Sequence, residues 1–279
     1  MKTDEKFASL IETIEAAGQS ARTYFNDAAD FDEKSDGSVV TKIDTDTEVL
    51  LRDFVAEYFP YDAIVGEEGD DVSGTSGYVW YIDPIDGTEN FVRKIPLFSI
   101  TATRLGAGPE GSFAIVHNPI SGQTFASIME DGVYENQRLT TFREGKVGGR
   151  LAINVLSSKA EPWILPAKYN LIQALGIKYG KSSSFSAGLL EFAYVAAGRL
   201  DGVISLLSSP WDTAAGLYLA KAAGAPISLY IDGRWQRYDG AIRDLYQDLT
   251  ARHLILVSTP AVHDELCAFV GDPRAWATK

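Results

Sequence analysis

Apolar positions recur at helical spacing from Phe7 through Leu10, Ile11 and Ile14 to Ala17, and again from Val49, Leu50, Phe54 and Val55 to Tyr58. Both stretches predict amphipathic helices. Between them, residues 26–38 (NDAADFDEKSDGS) are polar and poor in apolar anchors, and read as a mobile connection near a surface. Strand-like runs follow at 63–65, 78–82, 98–104, 113–117 and 124–128, most of them separated by Gly, Pro, Asn or Asp. This series predicts a largely antiparallel sheet.

Beyond about residue 150 the pattern turns to alternation: a strand at 151–156, helices at 169–175 and 187–197, a strand at 202–206, a helix at 213–223, and strands near Ile227 and at 254–257. The expected architecture is α+β and α/β, two sheets layered with helices. An N-terminal half (1–149) carries the mainly antiparallel sheet and a C-terminal half (150–279) the mixed one. No fixed-period repeat and no long linker separates them, so one compact unit is expected.

Composition narrows the function. With 25 Lys and Arg against 38 Asp and Glu, the chain of 279 residues carries a net charge of -13, which repels nucleic acid backbones and anionic membranes. An anionic small substrate meets the same repulsion and needs a local positive charge, for which bound divalent metal is the natural source. The single Cys267 and the 3 His exclude an internal disulfide and a zinc-type His/Cys cluster, so a metal would sit on oxygen ligands. His117, His253 and His263 stand far apart and read as structural. Residues 1–25 scatter charges among apolar positions, which predicts neither a signal segment nor a membrane span and makes the cytoplasm the expected address.

The candidate chemistry lies in residues 78–91, YVWYIDPIDGTENF, where an apolar strand runs into Asp83, Pro84, Ile85, Asp86, Gly87 and Thr88. Pro84 and Gly87 are expected to break the ladder and free the Ile85 carbonyl as a ligand beside the two carboxylates. Oxygen donors of this kind suit Mg²⁺ or Ca²⁺, and amides of Gly87 and Thr88 opening a helix would attract an anion. An isolated D-x-x-D-G is more often a turn. Here a second short strand ends in Gly66-Glu67-Glu68, and Asp212 stands in SSPWDTAAG just before a small-residue helix. Elements that each end in an acid point to a converging metal site.

These runs, GEE, DPIDGTENF and WDTAAG, resemble in order and spacing the signature stretches of the inositol monophosphatase family. The likeness extends to Ser38-Val39-Val40-Thr41 followed by Asp44, and to SFSAGLLEFAYVAAGRLDG. The resemblance implies a layered α-β-α-β-α sandwich and a Mg²⁺-dependent phosphomonoesterase. Glu67, Asp83 and the Ile85 carbonyl would hold one Mg²⁺, and Asp83, Asp86 and Asp212 a second, with Glu67 orienting waters on a weaker third. Gly87 and Thr88 amides would hold phosphate, while Thr88 and Asp44 orient and deprotonate the attacking water without a phosphoenzyme. Lys34 matches a family lysine that approaches the metals and phosphate. Ser184, Ser186, Ala187 and Glu191 lie where family substrates are gripped. A homodimer acting on a small phosphorylated metabolite is also implied.

Inositol-selective members carry a Glu seven residues before the WD aspartate, where this chain has Ser205, so myo-inositol selectivity is in doubt. Fructose 1,6-bisphosphate, NADP and nucleotide phosphates remain alternatives. Two rivals stand outside the family. A haloacid-dehalogenase-like phosphatase would need a D-x-D-G-T spacing and a motif near the start of a parallel sheet. A non-catalytic divalent-metal-binding regulatory protein is suggested by the acidic runs at 30–33 and 44–48, which lack the Gly and terminal Glu of a calcium loop.

Overall fold

Helix α1 (Glu5–Asn26) buries Phe7, Leu10, Ile14, Ala17, Ala21 and Phe25 along one face, as its spacing predicts, and runs to Asn26, well past the predicted stretch. The computed structural model describes residues 5–27, 30–34, 38–142, 151–158 and 161–279. The predicted connection at 26–38 falls partly outside these, at 28–29 and 35–37. Its described part contains a small antiparallel ladder of β1 (Phe31–Glu33) and β2 (Val39–Thr41). All of β1 is exposed, so no alternation of apolar and polar residues marks it.

Helix α2 (Lys42–Tyr58) corrects the sequence reading of its inner face. Val49 and Leu50 are exposed, and the buried face carries Ile43, Asp44, Thr47, Glu48, Leu51, Phe54 and Val55. Of the polar residues on that face, Asp44 and Glu48 each serve backbone or side-chain partners described below. The first sheet has seven strands in sequence order: β3 (Ala63–Gly66), β4 (Val79–Asp86), β5 (Ser99–Leu105), β6 (Phe113–Asn118), β7 (Gln123–Ile128), β8 (Tyr134–Glu135) and β9 (Arg138–Leu139). Only β3 and β4 pair in parallel. A short helix, α3 (Thr88–Val92), follows β4.

The second sheet combines β10 (Leu151–Ser157), β11 (Gly180–Ser183), β12 (Gly202–Leu206), β13 (Ile227–Ile231), β14 (Arg234–Arg237) and β15 (Leu254–Ser258) in the order β11-β10-β12-β15-β13-β14. β10 runs parallel to both β11 and β12, and the remaining pairs are antiparallel. Its helices are α4 (Ile164–Tyr179), α5 (Gly188–Ala196), α6 (Ala214–Ala222) and α7 (His263–Val270). The expected change of pattern at 149/150 lies outside the described residues.

Three apolar cores define the layers. Phe7, Leu10 and Phe54 of α1 and α2 meet Trp80, Ile82 and Phe113 on one face of the first sheet. On its other face Tyr81, Val116 and Phe125 meet Leu189, Phe192, Leu217 and Leu219 of α5 and α6, which also touch Val203 and Val257 of the second sheet. Ile153, Ile204 and Leu256 then pack on Leu171, Leu175 and Leu266 of α4 and α7. The order is therefore helix, sheet, helix, sheet, helix, as the resemblance implies. Sandwiched between two sheets, α6 has no solvent face, which explains why Ala214 through Ala220 are all buried and why its sequence lacks a polar stripe there. Gly216 lets the two middle helices touch, since a Cβ there would stand 2.4 Å from the Phe192 Cβ.

Candidate active site

The ladder of β4 with β5 runs in register from Val79↔Leu105 to Asp83↔Thr101, shifts, and resumes at Asp86↔Ser99. The ladder is thus interrupted at Pro84 and Ile85, as expected, by a bulge of one extra residue, while the strand itself runs on to Asp86, past the predicted end at Ile82; proline is tolerated where the ladder is interrupted. The bulge delivers both Asp83 and Asp86 to the strand's end, 1% and 7% exposed. Gly87 then turns the chain with φ 93, and a Cβ there would meet the Ser186 carbonyl oxygen at 2.9 Å and that of Leu97 at 3.1 Å. Only glycine suits both the conformation and the space.

Glu67 arrives from the neighbouring parallel strand, where Gly66 pairs with Ile82 and the Glu67 amide donates to the Ile82 carbonyl at 3.2 Å. Asp212 comes from the other half, in the turn before α6, and accepts from the Ser209 amide at 2.9 Å. A cavity of about 490 Å³ is lined by Glu67, Asp83, Ile85, Asp86, Gly87, Thr88, Ser186 and Asp212, with Phe31, Ser38, Val39, Glu89, Val92 and Arg93 completing its wall. Asp44 lies behind Thr88. The Thr88 hydroxyl is 3.1 Å from Asp44 Oδ1 and 3.0 Å from the Ile85 carbonyl oxygen, while Asp44 Oδ2 accepts from the Thr41 amide at 2.9 Å and from the Thr41 hydroxyl.

The other expected residues lie outside that lining. Lys34 pairs with Glu68 at 2.7 Å and with Glu67 at 3.5 Å, at the edge of the acidic group. Ser184 has a buried hydroxyl without a hydrogen-bond partner, Ala187 is fully buried, and Ser205 donates to the Ser208 hydroxyl at 2.9 Å. The histidines are structural as read. His263 lies between the Ser228 and Ser258 hydroxyls, His117 meets Thr124, and His253 contacts the Leu245 carbonyl.

Burial dominates the electrostatics of the acids. It lifts Glu67 to about 8, helped by Asp212, and Asp86 to about 7, again with Asp212 adding to the rise. Asp44 and Asp212 rise to about 6, burial leading in both, and Asp83 rises well above the usual carboxylate range through burial and then Glu67 and Asp86. Asp86 is partly satisfied by the Gly188 amide at 2.9 Å, the Leu189 amide at 2.8 Å and the Ser99 hydroxyl at 3.1 Å. Asp83 Oδ1 is buried and accepts no hydrogen bond.

Two observations bear on a metal here and pull apart. No group of three or more His, Cys, Asp or Glu among the described residues stands in a ready metal-holding arrangement. Yet these carboxylates share one cavity, interact strongly enough to raise one another, and include a buried oxygen with no donor. The second observation decides the fit, because uncompensated carboxylates repel and turn to local amides, as Asp86 and Asp212 do. An oxygen-only donor set with an orphaned buried carboxylate oxygen fits a hard divalent cation.

Three functional neighbours escape sequence reasoning. Glu48 is 2% exposed and accepts from the Glu68 amide, the Gly69 amide and Arg52 Nε at 2.8, 2.8 and 2.7 Å, so it holds the turn that carries Glu67. Its only sequence signal is its i,i+4 spacing from Asp44. Asn90 ties α3 to the other half by donating to the Leu97 and Phe185 carbonyls, each at 2.7 Å. The third, Arg93, is the one basic residue in the cavity wall among the described residues and pairs with Glu89 at 3.1 Å.

A fold of two layered sheets with an acidic cavity at the end of β4 excludes the haloacid-dehalogenase-like arrangement, since α1, α2 and three strands precede Asp83 and β4 lies in a mainly antiparallel sheet. A sequence model of the inositol monophosphatase family matches residues 3–271, and the chain belongs to that family. It is 30% identical over 213 residues to the Nus factor SuhB of Escherichia coli (strain K12), covering 74% of this chain and 78% of that protein. It is 29% identical over 258 residues to the inositol-1-monophosphatase of Bacillus subtilis (strain 168), covering 90% of each. Among solved structures, the Thermotoga maritima IMPase has a TM-score of 0.79 at 23% identity, with 98% of this chain and 100% of that one covered. An inositol monophosphatase from Anabaena has a TM-score of 0.73 at 24% identity, covering 92% and 91%. These structural likenesses bear on the fold. Among the described residues, no helix is long and apolar enough to cross a membrane.

Proposed function

We propose that the protein is a Mg²⁺-dependent phosphatase that hydrolyses a small phosphate monoester. The observation that carries this reading is the shared cavity of Glu67, Asp83, Asp86 and Asp212, with the Thr88–Asp44 pair behind one wall. Glu67, Asp83 and the Ile85 carbonyl would hold one Mg²⁺, and Asp83, Asp86 and Asp212 a second, with a weaker third near Glu67. Bound there, Mg²⁺ would supply the positive charge that a phosphate dianion needs in a chain of net charge -13.

The protein's own groups account for the rest. Thr88 donates its hydroxyl proton to Asp44 and turns a lone pair to the cavity, where it accepts a proton from the attacking water. Asp44, lifted to about 6 chiefly by burial, is close enough to neutrality to take up the relayed proton and return it. Amides of Gly87 and Thr88 would bind the phosphate oxygens; with water as the nucleophile, entering in line with the departing alkoxide, no phosphoenzyme forms. Ser205, neutral and bonded to Ser208, offers no carboxylate to sugar hydroxyls, which argues against strict selectivity for myo-inositol phosphate and keeps fructose 1,6-bisphosphate, NADP and nucleotide phosphates as alternatives. A homodimer in the cytoplasm goes with this reading, and sedimentation velocity tests the assembly.

The test is phosphate release across a metabolite panel with Mg²⁺ and with chelator. Release that depends on Mg²⁺ is expected from at least one monoester; none from any would overturn the activity. A second reading, a regulatory protein without turnover, draws on the 30% identity to a Nus factor. It requires divalent binding with no phosphate release in the same assay.

A further inference from the structure

The segment linking β11 to α5 reaches the cavity at Ser186, beside Gly87, and two side chains from different halves of the chain grip it. Ser186 lines the cavity and holds φ 55, a left-handed conformation that a non-glycine residue adopts only when its surroundings impose it. From one side Asn90 Nδ2 donates to the Phe185 carbonyl at 2.7 Å and reaches the Ser186 carbonyl at 3.3 Å. From the other, Glu191 Oε1 accepts from the Phe185 amide at 2.7 Å. Both faces of the Phe185 residue are thus tied to fully or nearly fully buried groups, Glu191 at 0% and Asn90 at 6% exposure. Just beyond the grip, the Gly188 and Leu189 amides donate to Asp86.

Resting on the phosphatase reading, we propose that Asn90 and Glu191 are positioning residues that clamp the Phe185–Ser186 segment and so fix the width of the cleft at Ser186. Neither touches the reacting atoms. Their effect reaches substrate through Ser186, which lines the cavity and whose carbonyl oxygen would stand 2.9 Å from a Cβ at Gly87, a gap that the glycine leaves free so that this wall can shift without moving the Gly87 turn. A wall set in this way discriminates by the shape of the group attached to the phosphate, and leaves the phosphate-binding turn itself unchanged.

Glu191 is unlike an ordinary acid in one respect that sharpens the test. Burial lifts its carboxyl to about 8, so near neutrality it is mainly a protonated acid with a carbonyl-like oxygen facing the Phe185 amide. Gln reproduces that shape and that acceptor, whereas Ala removes both. Hydrogen exchange at residues 184–189 reads the clamp without reference to activity. Glu191→Ala is expected to speed exchange of the Phe185 amide about tenfold, the scale of one lost hydrogen bond, with Glu191→Gln matching the wild type. For any monoester found in the phosphate-release screen, Glu191→Ala is expected to raise KM about tenfold with kcat within about threefold, and Glu191→Gln to restore KM. Affinity for inorganic phosphate in the presence of Mg²⁺ should hold within about twofold in both variants. Equal exchange in all three proteins, Gln as damaging as Ala, or accelerated exchange with unchanged KM overturns the clamp. Failure of the wild type to release phosphate from any ester instead counts against the activity, and the exchange result still decides whether Glu191 holds the segment.

Discussion

Asp83 keeps a buried carboxylate oxygen without a donor, beside Glu67, Asp86 and Asp212. Its replacement by Asn removes the carboxylate proposed to bridge two Mg²⁺ ions and leaves the packing. Asp83→Asn is therefore expected to fold, with a melting temperature in chelator no lower than the wild type, and to lose turnover by on the order of 10³-fold. Thr88→Ala separates the relay from metal binding. Because the hydroxyl and Asp44 act together, kcat should fall by about 10²–10⁴-fold with little change in KM, and a variant retaining wild-type kcat would remove the relay. At this scale the acids that share the cavity were legible because GEE, DPIDGT and WDTAAG each place a carboxylate at or next to the boundary of an element. The roles of Asp44 and Thr88 came from the family likeness, and the structure brings the two within 3.1 Å. Glu48, Asn90 and the grip of Glu191 on Phe185 were not legible, since their partners are backbone groups whose position depends on the folded path of another segment.

Elements turn those residues into a site by how they end. β3 stops at Gly66, where a Cβ would stand 2.3 Å from Glu48 Oε1 and 2.7 Å from Arg52 Nη2. Gly66→Ala must push the buried Glu48–Arg52 pair aside, so it should destabilise the protein by about 1–3 kcal/mol and weaken divalent binding as the Glu67 turn shifts. A denaturation midpoint and a metal titration unchanged from wild type would show that the turn is held by something else. Apart from α1, α2 and α4, which run beyond their predicted stretches, elements with a clear apolar repeat were predicted close to their observed ends, and β12 at Gly202–Leu206 matches fully. Exceptions among the strands have physical causes. β4 extends past Pro84 because the bulge absorbs the missing donor, β1 is exposed on every residue, and β8 and β9 span only two residues each, too short for any period to show.

The whole molecule stores the cost of gathering these acids, and that cost has a pH signature. In the absence of cation the native state keeps protons on Glu67 and Glu191 up to about 8 and on Asp86 up to about 7, where the unfolded chain has released them near the ordinary carboxylate values. Stability from such raised groups is complete below the unfolded values and is lost as pH climbs through the folded ones, at about 1.4 kcal/mol per pH unit for each retained proton. His117 and His263, lowered by burial to about 4, have the opposite slope, chiefly between about 4 and their ordinary value of 6.5. Above about pH 7.5, with the unfolded imidazoles also neutral, the carboxylates dominate, and from pH 6.5 the histidine contribution fades. The melting temperature of the metal-free protein should therefore fall from pH 6.5 to pH 8.5, and saturating Mg²⁺ should flatten or reverse the trend by favouring the ionised acids. A melting temperature that rises over that interval in chelator would contradict the assignment of strain to these groups. The layered architecture was legible at this scale because the apolar pattern changes character near residue 150. The packing of α5 and α6 against both sheets was not, since helices without a polar stripe do not announce which surfaces cover them.

Calorimetric titration of the metal-free protein with Mg²⁺, wild type beside Asp83→Asn, addresses the shared acidic centre most directly. Binding in the wild type that disappears in the variant, with both proteins folded, is the predicted result. Identical binding isotherms for the two proteins, or none for either, would contradict it.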